Sequence, residues 1–390
     1  MSAPSPTRSG GIYVHFAYCA RRCVYCDFAL ATPKSIPSDR YTDALIAELA
    51  TTAHTLGGEA RTLYVGGGTP SLWPPAELAR FLAAARVSPG IAAGAEITLE
   101  ANPKELDDAW LAAVTALGVN RISLGIQSLD DRELTALSRM HGAAGALAAA
   151  DRLATAYAAG TLTSFSVDLM YGLPGQTLAA WIDQIHRLVD RIAPPHLSLY
   201  ALTVEPTTVL GLRIRRGTTA SPDDSLQADM MFGARDVLAT YGYTHYEVSS
   251  WARPGHIARH NSAYWELRPW LGIGAGAHGF AAGRRTRNEA RPSRYIERVM
   301  AAGHAEVEIE TPDAKTLAFE HILTGLRRLD LGVTLPADPD RTGGAANTGG
   351  YEAIVQAEIA AGRLVREGAT IRLTDLGLRF MDDVLLAFVP

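Results

Sequence analysis

The sequence predicts an α/β protein: a partial (β/α)6 barrel followed by a C-terminal, mainly helical, winged-helix-like domain. Two observations predict it. From Gly11 onward, short β-branched or aromatic runs alternate with longer amphipathic ones, the pattern of repeated βα units around a parallel sheet. After about Glu247 that alternation fades, and the remainder reads as mainly helical. Right-handed crossovers then place the helices outside and the C-terminal ends of the strands on one rim, where chemistry should gather.

In chain order, the candidate strands are "GIYVHFA", "RTLYVGG", "EITLEAN", "RISLGIQS", "SFSVDLMYG" and "HLSLYALT". Between them, "SDRYTDALIAELATTAHTL" reads as a helix with Ser38 at its N-cap, and "DDAWLAAVTALG" as one closed by Gly118. These units define a barrel over residues 11–250, preceded by a disordered start at 1–10. A connecting segment follows at 251–310, where "RPSRYIERVMAAG" begins the helical region, and the C-terminal domain takes 311–390. From Tyr351, a helix, an alternating pair around Gly368 and another helix resemble a winged-helix module, while "DPDRTGGAANTGG" reads as a flexible loop. The usual use of such a module is DNA binding, but this one is acidic, which favours packing or partner contact.

Composition narrows the class. Of 390 residues 47% are apolar and the formal charge is −5, so the chain can bury a large core and carries no electrostatic footprint for nucleic acid. "MSAPSPTRSG" has no apolar stretch of signal-peptide length and no apolar run reaches spanning length, which predicts a cytoplasmic protein. All three cysteines, Cys19, Cys23 and Cys26, sit in "YCARRCVYCDF". An odd number of thiols in one short loop, with none elsewhere, favours metal or redox chemistry over a disulfide framework. The loop follows the first strand. The second strand runs into "GGGTPS" (Gly66 to Ser71), the third into Glu100, the fourth into Gln127 and the fifth into Asp168, so all converge on one mouth. A structural zinc held by three cysteines and His15 is the plainer reading of the same residues.

A Cys-x3-Cys-x2-Cys loop at such a mouth resembles the radical S-adenosylmethionine (SAM) superfamily. That resemblance implies a [4Fe–4S] cluster with three irons on Cys19, Cys23 and Cys26. Its fourth iron is chelated in the superfamily by the amino and carboxylate groups of SAM, and an electron donor reduces it. "YVHFAYCARRCVYCDF", "GGGTPS", "LEANP", "NRISLGIQS", "VDLMYGLPGQ" and "HLSLYALTVEP" are similar, over nearly the whole chain, to the oxygen-independent coproporphyrinogen III oxidases and their paralogues. Carried over by residue, the resemblance implies SAM contacts from Tyr13, Tyr25, Gly67, Gly68, Thr69, Glu100, Gln127, Arg139, Asp168 and Ala201. Glu100 or Asp168 would accept from ribose hydroxyls or the amino group, Arg139 would pair with the carboxylate, and Tyr25 would flank the adenine.

Within that family two functions compete: oxidative decarboxylation of coproporphyrinogen III, and the HemW-like haem chaperones, which hold haem for haem-requiring acceptor proteins. Phe28 stands where the oxidases usually carry a fourth cysteine, and 18 residues precede Cys19 where they have a long extension. "RHNSAYW" matches the His-Asn-x-x-Tyr-Trp signature of the chaperone group, which implies a haem site from His260, Asn261, Tyr264 and Trp265 with His260 as axial ligand. The competing reading of this motif is a hydrogen-bonded core corner. The balance favours the chaperone. Ala17 replaces the family's usual Pro, which is expected to loosen the strand exit, and "GIGAGAHG" reads as close backbone packing beside the SAM site with His278 near the ligand. A dimer is left open, with no residue arguing for one.

Overall fold

The computed structural model describes residues 10–336 and 349–389. The expected disordered start, save Gly10, and the glycine-rich loop at 338–350, save its last two residues, lie outside them. Six parallel strands pair in chain order: β1 (Gly11–Phe16), β2 (Ala60–Gly67), β3 (Ile91–Ala101), β4 (Arg121–Gln127), β5 (Ser164–Tyr171) and β6 (His196–Ala201). One set of alternate residues, including Ile12, Val14, Leu63, Val65, Ile122, Leu124, Phe165 and Val167, is buried in the main apolar core. The other set is polar: Thr62 and Tyr64, Glu96 and Glu100, Arg121 and Ser123, Ser166 and Asp168, His196 and Ser198. Strand periodicity therefore gives an apolar outer layer and a hydrogen-bonding lumen.

Local signals set the helices with one correction. Asp107 caps Asp108–Ala116 by accepting from Trp110 N at 2.7 Å, and Gly118 ends it at φ 95°. Ser38 is not an N-cap. It is the first residue of Ser38–Thr52, Pro37 holds the cap position without a side-chain bond, and the Ser38 carbonyl instead accepts from Thr42 Oγ1.

The segment 251–310 is more than a connector. After β6, β7 (Thr244–Glu247) and β8 (Ser250–Ala252) add antiparallel strands at one side. At the other side β9 (Trp270–Ile273) lies parallel to β1, followed by β10 (His278–Ala281), β11 (Arg284–Asn288) and β12 (Glu306–Glu310), completing a twelve-stranded sheet. Runs of four or five residues broken by glycine are too short to show a period. The helix Arg259–Trp265 sits at the N-terminal end of the strands, where both Glu96 oxygens accept from its first backbone amides, Arg259 N at 3.0 Å and His260 N at 2.9 Å.

The C-terminal region is mainly helical around a small antiparallel sheet. Helices Ala314–Gly325, Gly349–Ala360, Asp375–Arg379 and Met381–Leu386 accompany β13 (Val333–Thr334), β14 (Leu364–Glu367) and β15 (Thr370–Leu373), with β15 central. Ile322, Leu326, Val355, Ile371 and Phe388 form its separate core. Among the described residues, no helix is long and apolar enough to cross a membrane.

Glu48, on Ser38–Thr52, joins the late strands to the barrel. It accepts from Gly274 N at 2.9 Å, Tyr295 OH at 2.5 Å and Asn288 Nδ2 at 2.6 Å. Burial pushes its carboxyl up to about 7, against the pull of those three donors. A folded pKa above the ordinary 4.5 means that this group favours the fold most at low pH and loses that contribution as pH rises toward 7. Glu48→Ala strands three buried donors and should lower the unfolding free energy by about 3 kcal/mol in urea denaturation. The gap between wild type and variant should narrow from pH 4.5 to 7, and a widening gap would contradict this account.

Candidate functional site

The rim at the C-terminal ends of β1 to β6 surrounds a cavity of about 620 Å³. The cysteine loop covers part of it. Cys19 N donates to Ala31 O at 3.0 Å and Ala31 N to Ala17 O at 2.9 Å, so the chain returns alongside its own exit from β1. The expected loosening at Ala17 is absent: Ala17 is fully buried and paired. Arg22, between the first two cysteines, donates to Cys26 O, Phe28 O and Leu30 O at 3.2, 3.3 and 2.9 Å, which folds the loop back on itself. Val24 seats the loop across the barrel mouth in a small apolar cluster with Leu137, Met170, Leu173, Leu202 and Leu210. All three thiols are free and line the cavity, Cys19 buried and the others half-buried.

The glycine loop is docked on the same exit, with Gly68 N donating to Phe16 O and Thr69 N to Tyr18 O, both at 2.8 Å. A Cβ at Gly68 would lie 2.5 Å from Tyr18 O, so only glycine permits this approach. Glu100 accepts from Gly67 N at 3.1 Å and Tyr64 OH at 2.7 Å. Burial, then the charge of Asp168, raises its carboxyl to about 7, while those two donors lower it. Asp168 accepts from Ser123 at 2.9 Å and Ser166 at 3.0 Å, and burial raises its carboxyl too. Gln127 adopts φ 66°, a left-handed conformation that costs a non-glycine residue about 1 kcal/mol. It lies where the β4–β5 register shifts, and it lines the cavity.

Cys19, Cys23, Tyr25, Cys26, Gly67, Gly68, Thr69, Glu100, Gln127, Arg139, Asp168 and Ala201 are thus brought together around one cavity. Tyr13 is not on its wall. It stacks on Tyr64 with ring centroids 6.2 Å apart, and its hydroxyl bonds His15 Nδ1 at 2.9 Å. His15 Nε2 in turn donates to Ala29 O at 2.8 Å, which leaves neither ring nitrogen for the zinc site considered above. His278 begins β10 as an exposed residue and does not line the cavity.

The haem-site expectation requires a correction. His260 is 1% exposed, its Nδ1 is bonded to Thr62 Oγ1 at 2.8 Å and its Nε2 to Tyr264 OH at 2.7 Å. It stacks on Tyr64 at 5.3 Å, and burial lowers its pKa to about 3. An axial ligand needs a free nitrogen facing open space, and this ring has neither. His260, Asn261, Tyr264 and Trp265 all lie off the cavity wall; the core-corner reading describes His260 and Tyr264, which bond each other, while Asn261 and Trp265 are half-buried.

Sequence reasoning passed over Tyr64, Asn102, Ser123, Met140 and His141, which also line the cavity. Asn102 lies inside "LEANP", and Ser123 and Tyr64 share strand faces with other polar residues, so period-two polarity was the available signal.

A model described as the radical SAM superfamily matches residues 13–188. Over its full length the chain is 36% identical to Radical S-adenosyl methionine domain-containing protein 1, mitochondrial, of Mus musculus, and covers 89% of that protein. The chain belongs to the radical SAM superfamily. It is also 39% identical to Heme chaperone HemW of Mycobacterium tuberculosis, over 83% of each chain, and 34% identical to Heme chaperone HemW of Escherichia coli, over 97% of each. The solved coproporphyrinogen III oxidase (HemN) of Escherichia coli, a radical SAM enzyme, superposes with TM-score 0.82 over 99% of this chain and 91% of that one at 21% identity, a likeness of fold. Radical SAM membership implies SAM and a [4Fe–4S] cluster, and three free thiols on one cavity wall suit the three protein-bound irons of such a cluster.

Because His260 fills the core, His260→Ala should cost about 2–4 kcal/mol of stability through a void and two unmade hydrogen bonds. Denaturation midpoints check this. An unchanged midpoint would show that the ring is not a packing element.

Proposed function

We propose that this radical SAM protein is a haem chaperone, one that binds haem and passes it to haem-requiring proteins. The observation that carries the reading is identity of 34–39%, over most of the chain, to proteins named heme chaperone HemW, against 21% to the solved oxidase. Phe28, in the place of the oxidases' fourth cysteine, supports it: the side chain is 58% exposed beside the cysteine loop.

In this reading Cys19, Cys23 and Cys26 hold the cluster. Gly67 and Gly68 offer backbone to SAM, Arg139 takes its carboxylate, Glu100 and Asp168 accept from its amino group or ribose hydroxyls, and Thr69, Gln127, Tyr25 and Ala201 complete the wall. Tyr13 acts from behind Tyr64. Bound together, SAM and a cluster reduced by an electron donor supply one-electron cleavage chemistry. The chain's own residues orient the ligand and keep water from it.

Glu100 must be ionised to accept from a ligand ammonium or hydroxyl with both oxygens. Since its carboxyl titrates near 7, SAM affinity should fall as pH drops from 8 to 6, by at most about tenfold per unit. Glu100→Gln should weaken binding at pH 8 and flatten the profile. Calorimetry on cluster-loaded protein under anaerobic conditions measures both, and a profile that stays steep in the variant would assign the titration elsewhere.

The function itself is tested by incubating the cluster-loaded chain anaerobically with coproporphyrinogen III, SAM and a reductant, alongside a haem titration. No decarboxylation and saturable haem binding are expected. Loss of two carboxyl groups from the porphyrinogen would make the chain an oxidase.

A further inference from the structure

A continuous set of hydrogen bonds crosses the cavity wall from one cysteine sulfur to another. Thr69 Oγ1 donates to Cys19 Sγ at 3.2 Å. The same hydroxyl oxygen accepts from Asn102 Nδ2 at 3.3 Å, and Asn102 Oδ1 accepts from Arg139 Nη2 at 2.6 Å. Arg139 Nη1 closes the path on Cys23 Sγ at 3.6 Å. Each residue comes from a different βα segment, following β2, β3 and β4 in turn.

The direction of every proton follows from chemistry. A guanidinium only donates, so the Asn102 oxygen must face Arg139 and its NH2 must face Thr69. A hydroxyl oxygen that already accepts from Asn102 has its own proton left for the Cys19 sulfur. The pieces are held elsewhere too: Asn102 N donates to Ser71 Oγ at 3.2 Å, and Arg139 Nη2 also donates to Gly125 O at 2.7 Å. Asn102 is therefore the pivot of the path, although it touches neither sulfur.

We propose that Asn102 is a positioning residue that, through Thr69 and Arg139, aims hydrogen bonds at two of the three cluster thiolates and thereby sets the cluster's reduction potential. This rests on the cluster reading given above. Donors aimed at cluster sulfurs stabilise the more electron-rich, reduced form and raise the potential, as outer-shell partners do at metal centres generally. Removing Asn102 frees the Thr69 hydroxyl to turn from Cys19 and leaves the guanidinium without its second anchor.

The test is a redox titration of the anaerobically reconstituted full-length chain without SAM, followed by the spin signal of the reduced cluster. Asn102→Leu and Thr69→Val should lower the midpoint, cutting the reduced-to-oxidised ratio at a fixed potential about tenfold, or about 59 mV for one electron. Thr69→Ser, which keeps the hydroxyl, should restore it. Midpoints equal to wild type in variants with full iron and sulfide content would overturn the proposal. Should Asn102→Leu not take up a cluster, Asn102→Ala, which adds no bulk to the wall, is titrated in its place, and an unmoved midpoint there overturns the proposal; the Thr69→Val and Thr69→Ser pair reads the donor at the end of the path. A wild-type chain that takes up no iron and sulfide would fail the cluster reading itself, an outcome distinct from an unmoved midpoint.

Discussion

Two carboxylates, Glu100 and Asp168, stand in a narrow parallel barrel, and everything inside that barrel is arranged to make them tolerable. A buried charge without partners is costly, so the inner strand positions are hydroxyls, phenols and imidazoles instead of aliphatic side chains. From Asp168 the bonds run through Ser166 to His196 at 2.8 Å and from His196 to Tyr246 at 2.9 Å. From Glu100 they pass to Tyr64, which stacks on His260. The buried Arg121 lowers the Asp168 carboxyl from within the same lumen. These hydrogen bonds fix the side chains that carry them, Arg121 Nε and Thr98 Oγ1 being left without a partner among the described residues, and fixed side chains are what a ligand-orienting wall requires.

The outer side of β1 faces the opposite demand, close approach of backbone to backbone. A Cβ at Gly274 would fall 2.5 Å from His15 O, and one at Gly276 would fall 2.5 Å from Ala29 Cβ. The glycine-rich stretch therefore presses against both the exit of β1 and the strap returning from the cysteine loop. No βαβ unit accompanies it, which separates it from a dinucleotide fingerprint. Glu48 holds this layer by its backbone amide, so the loop bearing the cysteines is braced from behind by contacts far from any thiol.

The six barrel strands were legible because each is at least six residues long and alternates apolar residues with polar ones or sits in a run bounded by turn residues and helical stretches. β9 to β12 were not, because their runs of four or five residues are too short to show a period, and β9 pairs with β1 from far along the chain. In the site, cysteines and strand-end carboxylates were legible by residue type. Asn102 was not, since its part depends on Thr69 and Arg139, 33 and 37 residues away. His260 was seen but given the wrong surroundings: a histidine beside aromatics has one composition whether it faces a cavity or a core, and only the fold tells which.

Its actual surroundings give the His-Asn-x-x-Tyr-Trp motif a different part. The short helix that carries it presents His260 and Tyr264 to the lumen, beneath Tyr64 and Glu100, while Arg327 lies over the Trp265 ring at 4.8 Å. Glu266, the next residue, pairs with the buried Arg328 at 2.8 Å, and Leu329 N donates to Tyr246 O at 3.0 Å. A cation over an indole is worth about 0.5–2 kcal/mol and the ion pair adds to it, so residues 327–329 of the C-terminal region are held against the end of this short helix and against β7. The motif thus joins three parts at one helix: the polar lumen, the sheet and the C-terminal region. From this helix, contacts lead directly to the cavity wall: His260 stacks on Tyr64, and Tyr64 donates to Glu100, so the motif supports the wall from below without lining it.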